Sequence, residues 1–160
     1  MVRAIRTLDI PDTYVNEIDS PVRISNFPDS EHGVTSIQVV TLNRPNKLNA
    51  ITGSMIDALI TLFTTVDVDD RVKVVILTGA GRAFSAGIDL SGDYSQEKNK
   101  LRRSEMRDPG GTLALAMFNC SKPIIVAYNG LAVGIGMTST LAAAIRYVSY
   151  VLMYLDGIKN

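Results

Sequence analysis

The sequence predicts an α/β fold assembled from strand-then-helix units. Two apolar runs, Val72 to Leu77 and Pro123 to Tyr128, are rich in β-branched residues, and each gives way to a turn rich in Gly, Ala or Asn. That pattern belongs to buried strands that deliver exposed loops. Stretches with helical spacing alternate with the strands, which is the order expected of stacked β-β-α or β-α-β units rather than of an all-β or all-α chain.

Taken in order, residues 1–34 read as a polar N-terminal extension, and residues 35–149 as the folded domain. Ser36 to Leu42 reads as its first strand. Thr52 or Ser54 can cap a helix whose apolar positions Ile56, Leu59, Ile60, Phe63 and Val66 fall on one face. The strand Val72 to Leu77 follows, and then a polar, charged segment from Gly92 to Arg107, expected to be mobile. A helix is expected from about Gly111 to Asn119, then the strand Pro123 to Tyr128, a turn at Asn129-Gly130, and an Ala-rich helical pattern opened by Gly134-Ile135-Gly136. No internal repeat is visible.

Two loops carry the chemistry. In Ala83 to Leu90 (AFSAGIDL), the small residues Ala86 and Gly87 let a ligand approach the main chain, so the working groups are peptide N–H groups rather than side chains. At Gly134-Ile135-Gly136 a helix start offers unpaired N–H groups and the positive end of the helix dipole, which suits a developing oxyanion. Two such donors make an oxyanion hole. Asp89 reads as a carboxylate that orders its loop, with contact to a substrate as the second reading. Ser85 has no partners for a nucleophilic triad. A nucleotide site at Gly79-x-Gly81 is excluded, because Gly-x-Gly-x-x-Gly fails at Phe84 and no Gly-Lys-Ser/Thr follows.

Three segments in register, LNRPNKLNAI (Leu42 to Ile51), AFSAGIDL (Ala83 to Leu90) and NGLAVGIG (Asn129 to Gly136), resemble the first half of a crotonase-superfamily (enoyl-CoA hydratase/isomerase) protein, with the fungal-type isomerase/hydratases as the nearest group. The resemblance implies an incomplete crotonase-like spiral of ββα units that lacks the C-terminal helical part, through which family trimers and hexamers assemble. It also implies an acyl-CoA thioester as ligand. The carbonyl is polarised by the peptide N–H groups of Ile88 and Ile135, coenzyme A is part of the substrate, and no separate cofactor is needed. Substrate-binding positions carried over are Ser85, Ala86, Gly87, Ile88, Asp89, Gly134, Ile135, Gly136 and, beside the adenine pocket, Ala50. Hydratases of the family carry Glu, and dienoyl-CoA isomerases Asp, where this chain has Thr138. A Thr hydroxyl is no general base near pH 7. Isomerases that migrate a double bond rely on a later Glu, whose position falls past Asn160. The expected protein is therefore an isomerase-like homologue with its oxyanion loops and without its catalytic carboxylate. A non-catalytic module that pairs with full-length relatives is the other reading.

Composition narrows the classes further. The chain has 160 residues, 46% hydrophobic and 20% charged, with Lys+Arg 16 balanced by Asp+Glu 16, so no whole-chain field draws it to nucleic acid or anionic lipid. No membrane span or metal is expected. One cysteine, Cys120, excludes an internal disulfide and reads as a structural thiol, and the one histidine, His32, reads as a solvated loop residue. The basic run Lys98, Lys100, Arg102, Arg103 and Arg107 reads as a solvated face, with the phosphates of coenzyme A as its alternative partner. The N-terminus lacks a secretory h-region, and Ile158-Lys159-Asn160 is not a peroxisomal Ser-Lys-Leu signal, leaving peroxisome or mitochondrion to the resemblance alone. Residues 150–160 form a tail without family likeness, and Tyr147 to Leu155 is uncharged, aromatic and β-branched, the profile of an aggregation-prone segment.

Overall fold

The computed structural model describes residues 9–91 and 108–149. Seven strands and three helices are described: β1 (Val22–Phe27), β2 (Ile37–Leu42), α1 (Gly53–Val68), β3 (Val74–Gly79), β4 (Ala83–Ser85), α2 (Pro109–Asn119), β5 (Ile124–Tyr128), β6 (Leu131–Ala132), α3 (Ile135–Thr138) and β7 (Ile145–Val148). The main sheet runs β1-β2-β3-β5-β7; β1 is antiparallel to β2 and every other neighbour pair is parallel. A second sheet holds only β4 and β6, also parallel.

Alternate positions on the main sheet face inward. Val40, Leu42, Val75, Leu77, Ile124 and Val126 are buried, and they meet Met55, Ile56, Leu59, Leu62, Phe63 and Val66 of α1 with Leu113 and Met117 of α2. Val74, Ile76 and Ile125, on the other face, are only half-buried. The apolar runs therefore cover one closed face and one partly covered face. Phe63 is fully buried, and truncating such a residue to Ala typically costs about 3–5 kcal/mol. Helix α1 begins at Thr52, whose hydroxyl accepts from the Met55 N–H at 3.3 Å, so Thr52 and not Ser54 is the cap.

The chain coils through three successive strand–turn–strand–helix units. After β2, Ile51 forms a parallel bridge with Ile88 before α1 begins. After β3 come β4 and α2, and after β5 come β6 and α3. The edge-to-face stacking of Phe84 on Tyr128, with ring centroids 4.8 Å apart, ties the small sheet to the main one.

Two expectations need correction. The segment read as a polar extension contributes β1, paired with β2 over its whole length from Val22↔Leu42 to Phe27↔Ile37. Its inward pattern is hidden in sequence because Asn26 occupies a buried position, where its amide donates to the carbonyls of Glu31 and Gly33 and its Oδ1 accepts from Gln38. The Ala-rich stretch is not a long helix: α3 is one turn, followed by a 3-10 turn at Ser139–Ala142 and the strand β7. Ser139 and Thr140 donate their hydroxyls back to the carbonyls of Ile135 (2.6 Å) and Met137 (2.7 Å), which competes with helical propagation. In β7, Ile145, Tyr147 and Val148 are exposed. The rest of the expected aggregation-prone tail, the segment Gly92–Arg107 and its basic run lie outside the described residues. His32 is exposed, and the half-buried Cys120 thiol is pushed up by burial, which keeps it a thiol. Among the described residues no helix is long and apolar enough to cross a membrane.

Residues before β1 are anchored by a buried carboxylate. Asp69 accepts from the Tyr14 hydroxyl at 3.0 Å and from the Arg71 side chain at 2.8 Å, and Arg71 reaches on to the Pro11 carbonyl at 2.6 Å. The Arg71 hydrogen bonds hold the Asp69 carboxyl down at about 2, against an ordinary value near 3.8. A carboxylate whose folded value is depressed contributes stability that is complete above its unfolded value and lost as pH falls through the folded one. Asp69→Asn should therefore lower stability near pH 6 and flatten the loss between about pH 4 and pH 2, an interval set by these two values. Urea denaturation at pH 6 and pH 2.5 checks this; an unchanged acid limb in Asp69→Asn would contradict it.

Candidate active site

The pairing of β4 with β6, Ala83↔Leu131 and Ser85↔Ala132, sets two loops side by side. Ile88 lies three residues beyond Ser85 and Ile135 three beyond Ala132, so the two expected donors occupy equivalent places in successive turns of the coil. The Val133 N–H donates to the Ser85 carbonyl at 2.9 Å, and a Cβ built on Gly134 would lie 3.9 Å from the Gly87 Cα, so the loops abut.

The first loop is strapped along the segment Leu48–Ile51. The Ala86 N–H donates to Leu48 (2.9 Å), the Ile51 N–H to the Gly87 carbonyl (2.7 Å), and the Asp89 N–H to the Ile51 carbonyl (2.9 Å), while the Gly87 N–H is taken by the Ser85 hydroxyl (3.1 Å). Ile88 is the one N–H from Ala86 to Asp89 without an acceptor among the described residues. Because N–H and C=O point opposite ways across a trans peptide, the bond from Ile51 to the Gly87 carbonyl aims the Ile88 N–H away from Ile51. The second loop works alike. The Gly134 carbonyl accepts from Met137 (3.0 Å) and Thr138 (2.8 Å), which turns the Ile135 N–H out of the helix start. Among the described residues the N–H groups of Gly134 and Ile135 have no acceptor, whereas that of Gly136 is used by Val133 (3.0 Å).

Glycine is required at Gly87, where φ is +93° and an added Cβ would meet the Val133 carbonyl oxygen at 3.0 Å. At Gly136 an added Cβ would lie 2.6 Å from the Ser85 Cβ.

Two of the residues carried over as substrate-binding commit their side chains to the scaffold, Asp89 in the loop-ordering role that its sequence reading favours. Ser85 is fully buried, and its hydroxyl donates to the Asn49 carbonyl at 2.9 Å. Asp89 pairs with Arg44 at 2.8 Å and accepts from the Ser91 N–H and hydroxyl at 2.9 and 2.6 Å. The Ser91 and Arg44 hydrogen bonds hold its carboxyl down at about 2, so it remains a carboxylate committed to its loop. Ala50 uses its N–H on Lys47 and its carbonyl on Arg44, leaving a half-buried methyl group. Thr138 is exposed at the end of α3. No group of three or more His, Cys, Asp or Glu that could hold a metal occurs among the described residues.

Sequence reasoning missed the asparagines that hold the first loop. Asn49 is fully buried at φ +54°; its Oδ1 accepts from the Arg44 N–H (2.9 Å) and its amide donates to the carbonyls of Ala80 (2.8 Å) and Ala83 (2.7 Å). From the other side Asn129 donates to Gly81 (2.8 Å) and Ala83 (3.3 Å). The Asn-Gly pair at Asn129 reads in sequence only as a turn, and nothing local in NKLNA marks Asn49 as a long-range clamp.

Successive ββα units thus bring two loops together, each with an outward-turned peptide N–H group. Residues 32–151 match the enoyl-CoA hydratase/isomerase family, and the chain belongs to that family. It is 46% identical over 110 residues to an enoyl-CoA hydratase of Alternaria alternata, covering 69% of this chain and 36% of that protein. A probable peroxisomal enoyl-CoA hydratase of Arabidopsis thaliana is 38% identical over 120 residues, 75% of this chain and 43% of its own length. Among solved structures, an enoyl-CoA hydratase/carnithine racemase of Magnetospirillum magneticum superposes with a TM-score of 0.69 at 27% identity, covering 86% of this chain and 49% of that one. The chain thus spans less than half the length of these relatives, and the crotonase-like fold expected from the sequence is the one observed.

Asn49→Ala should cost about 2–4 kcal/mol, because it takes the amide donor from the Ala80 carbonyl, leaves the Ala83 carbonyl only its longer bond from Asn129 (3.3 Å), strips the Arg44 N–H of its acceptor and removes a residue that tolerates positive φ. Chemical denaturation checks the value; a loss below about 0.5 kcal/mol, the scale of a surface substitution, would contradict the clamp.

Proposed function

We propose that this protein binds an acyl-CoA thioester and polarises its carbonyl between the peptide N–H groups of Ile88 and Ile135. The reading is carried by one observation: these N–H groups lie at equivalent places on abutting loops, turned away from their own scaffold and without acceptors among the described residues. Removing the proton next to a thioester carbonyl places negative charge on its oxygen. Two fixed donors stabilise that enolate with no reorganisation, each contributing about 3 kcal/mol by analogy with measured oxyanion donors. Coenzyme A enters as part of the substrate and no other cofactor is required.

The proton-transfer group is a different matter. Thr138 cannot act as general base, and Asp89 is held as a carboxylate by Arg44 and Ser91. Hydration by a two-carboxylate route is therefore not supported at Thr138 or Asp89. Double-bond isomerisation, which needs one base, is the favoured ancestral chemistry. Such chemistry belongs to fatty acyl-CoA metabolism, and the peroxisomal name of the Arabidopsis relative makes that organelle the first to examine. A second reading, a non-catalytic module that pairs with a full-length relative, is favoured by the exposed Leu115, Phe118, Met137, Leu141 and Tyr147 around α2, α3 and β7. Assays with and without such a relative separate the two.

Hydratase activity toward a short 2-enoyl-CoA should be absent, or at least about a thousandfold below that of a two-carboxylate enzyme, since general acid and base groups contribute about 10² to 10⁴ each. Rapid loss of the enoyl-thioester absorbance at low protein concentration would contradict this. In calorimetry with the same ligand, Gly87→Val should weaken binding at least about tenfold while Arg102→Ala changes it by less than about twofold, because a side chain at the positive φ of Gly87 crowds the loop against the Val133 carbonyl and obstructs the thioester's seat, whereas phosphate attraction is not what holds the ligand. The opposite order would point to a phosphate-driven site.

A further inference from the structure

We propose that Ser85 is the positioning residue that holds both carbonyl-binding loops in register; this rests on the acyl-CoA reading above and assigns Ser85 a task that needs no contact with substrate. The side chain is fully buried, and it joins three stretches of chain that are far apart in sequence. Its hydroxyl donates to the Asn49 carbonyl at 2.9 Å and accepts the Gly87 N–H at 3.1 Å. Its own carbonyl accepts the Val133 N–H at 2.9 Å. Its Cβ and Oγ fill the space that a Cβ on Gly136 would enter, at 2.6 and 2.8 Å.

The consequence for Ile88 is geometric. Gly87 sits between two peptide planes and has no side chain to restrict it. The Ile51 N–H fixes the plane after it, and the Ser85 hydroxyl fixes the plane before it. Without that hydroxyl the Gly87 N–H is buried with no acceptor, and turning the peptide is the readiest way to find one. A turn of the Ala86–Gly87 peptide shifts Gly87 itself, and the Gly87–Ile88 peptide, hinged on its bond to Ile51, tilts with it; the Ile88 N–H is displaced, and a misaimed donor no longer stabilises charge on the carbonyl oxygen. On the other side, the bond to Val133 and the close contact with Gly136 set the depth of the second loop. Ser85 therefore acts on carbonyl polarisation more than on the affinity for coenzyme A, which other contacts supply.

The test uses the whole chain and but-2-enoyl-CoA labelled with ¹³C at the thioester carbonyl. Hydrogen bonds to the oxygen deshield that carbon, so its shift on binding reports polarisation, while calorimetry reports affinity. Ser85→Ala should keep Kd within about threefold and lose about half or more of the bound carbonyl shift, because affinity is spread over the ligand and the shift is local to the oxyanion donors. A full wild-type shift in Ser85→Ala overturns the assignment to Ser85 while leaving the oxyanion reading intact. A wild-type complex with no shift overturns both. If Ser85→Ala melts below the assay temperature, Ser85→Cys takes its place, since it keeps the bulk beside Gly136 and weakens the acceptor. A reduced shift then supports the proposal and an unchanged one overturns it.

Discussion

The parallel pairing of Ala83–Ser85 with Leu131–Ala132 is the contact on which the rest of the site depends. Neither strand is long enough to stand alone. Their pairing brings two turns of the coil into one register, and every later feature of the loops is measured from it. Once Ser85 is opposite Ala132, the Val133 N–H finds the Ser85 carbonyl and Gly87 meets Gly134. The donors that follow each strand then arrive at matching depths. The main sheet makes this possible by holding β3 and β5 parallel and adjacent, so that the turns after Gly79 and Tyr128 leave the same edge.

Around that contact the chain consumes nearly every polar group of the first loop. Asn49 and Asn129 clamp the turn before β4, Leu48 and Ile51 strap the backbone beyond it, and Arg44 pins Asp89 where the loop ends. Selective exposure follows from this general commitment: Ile88 stands out because its neighbours are occupied. A site built this way is rigid before any ligand arrives, which is the condition under which backbone donors stabilise charge effectively. In the proposed function, carbonyl polarisation is separate from proton transfer. The first needs only the folded loops, while the second needs a carboxylate or imidazole that Thr138 does not provide.

Much of the framework was legible in the sequence because it obeys periodic rules. The strands β2, β3 and β5 announce themselves by β-branched runs, α1 by its apolar face and Thr52 cap, and the loops by Ala86-Gly87 and Gly134-Ile135-Gly136. What escaped has no periodic signature. Strand β1 hides behind the buried Asn26, whose partners lie on the following loop and strand. Strands β4 and β6 are too short for alternation to register. The Ala-rich segment reads as helix by propensity, but the hydroxyls of Ser139 and Thr140 and the β-branched residues beyond them end it after one turn. Pairs such as Arg44 with Asp89, and the link from Ser85 to Asn49, span 45 and 36 residues and exist only once the coil has closed.

The central claim is that a thioester carbonyl is held by two peptide N–H groups. A crystal structure of the protein with a saturated short-chain acyl-CoA tests it most directly. The account predicts the carbonyl oxygen at about 2.7–3.1 Å from both the Ile88 and the Ile135 nitrogens, the distance at which oxyanion donors act. An acyl-CoA bound with its carbonyl away from these nitrogens, or both N–H groups satisfied by protein acceptors in the complex, would contradict it.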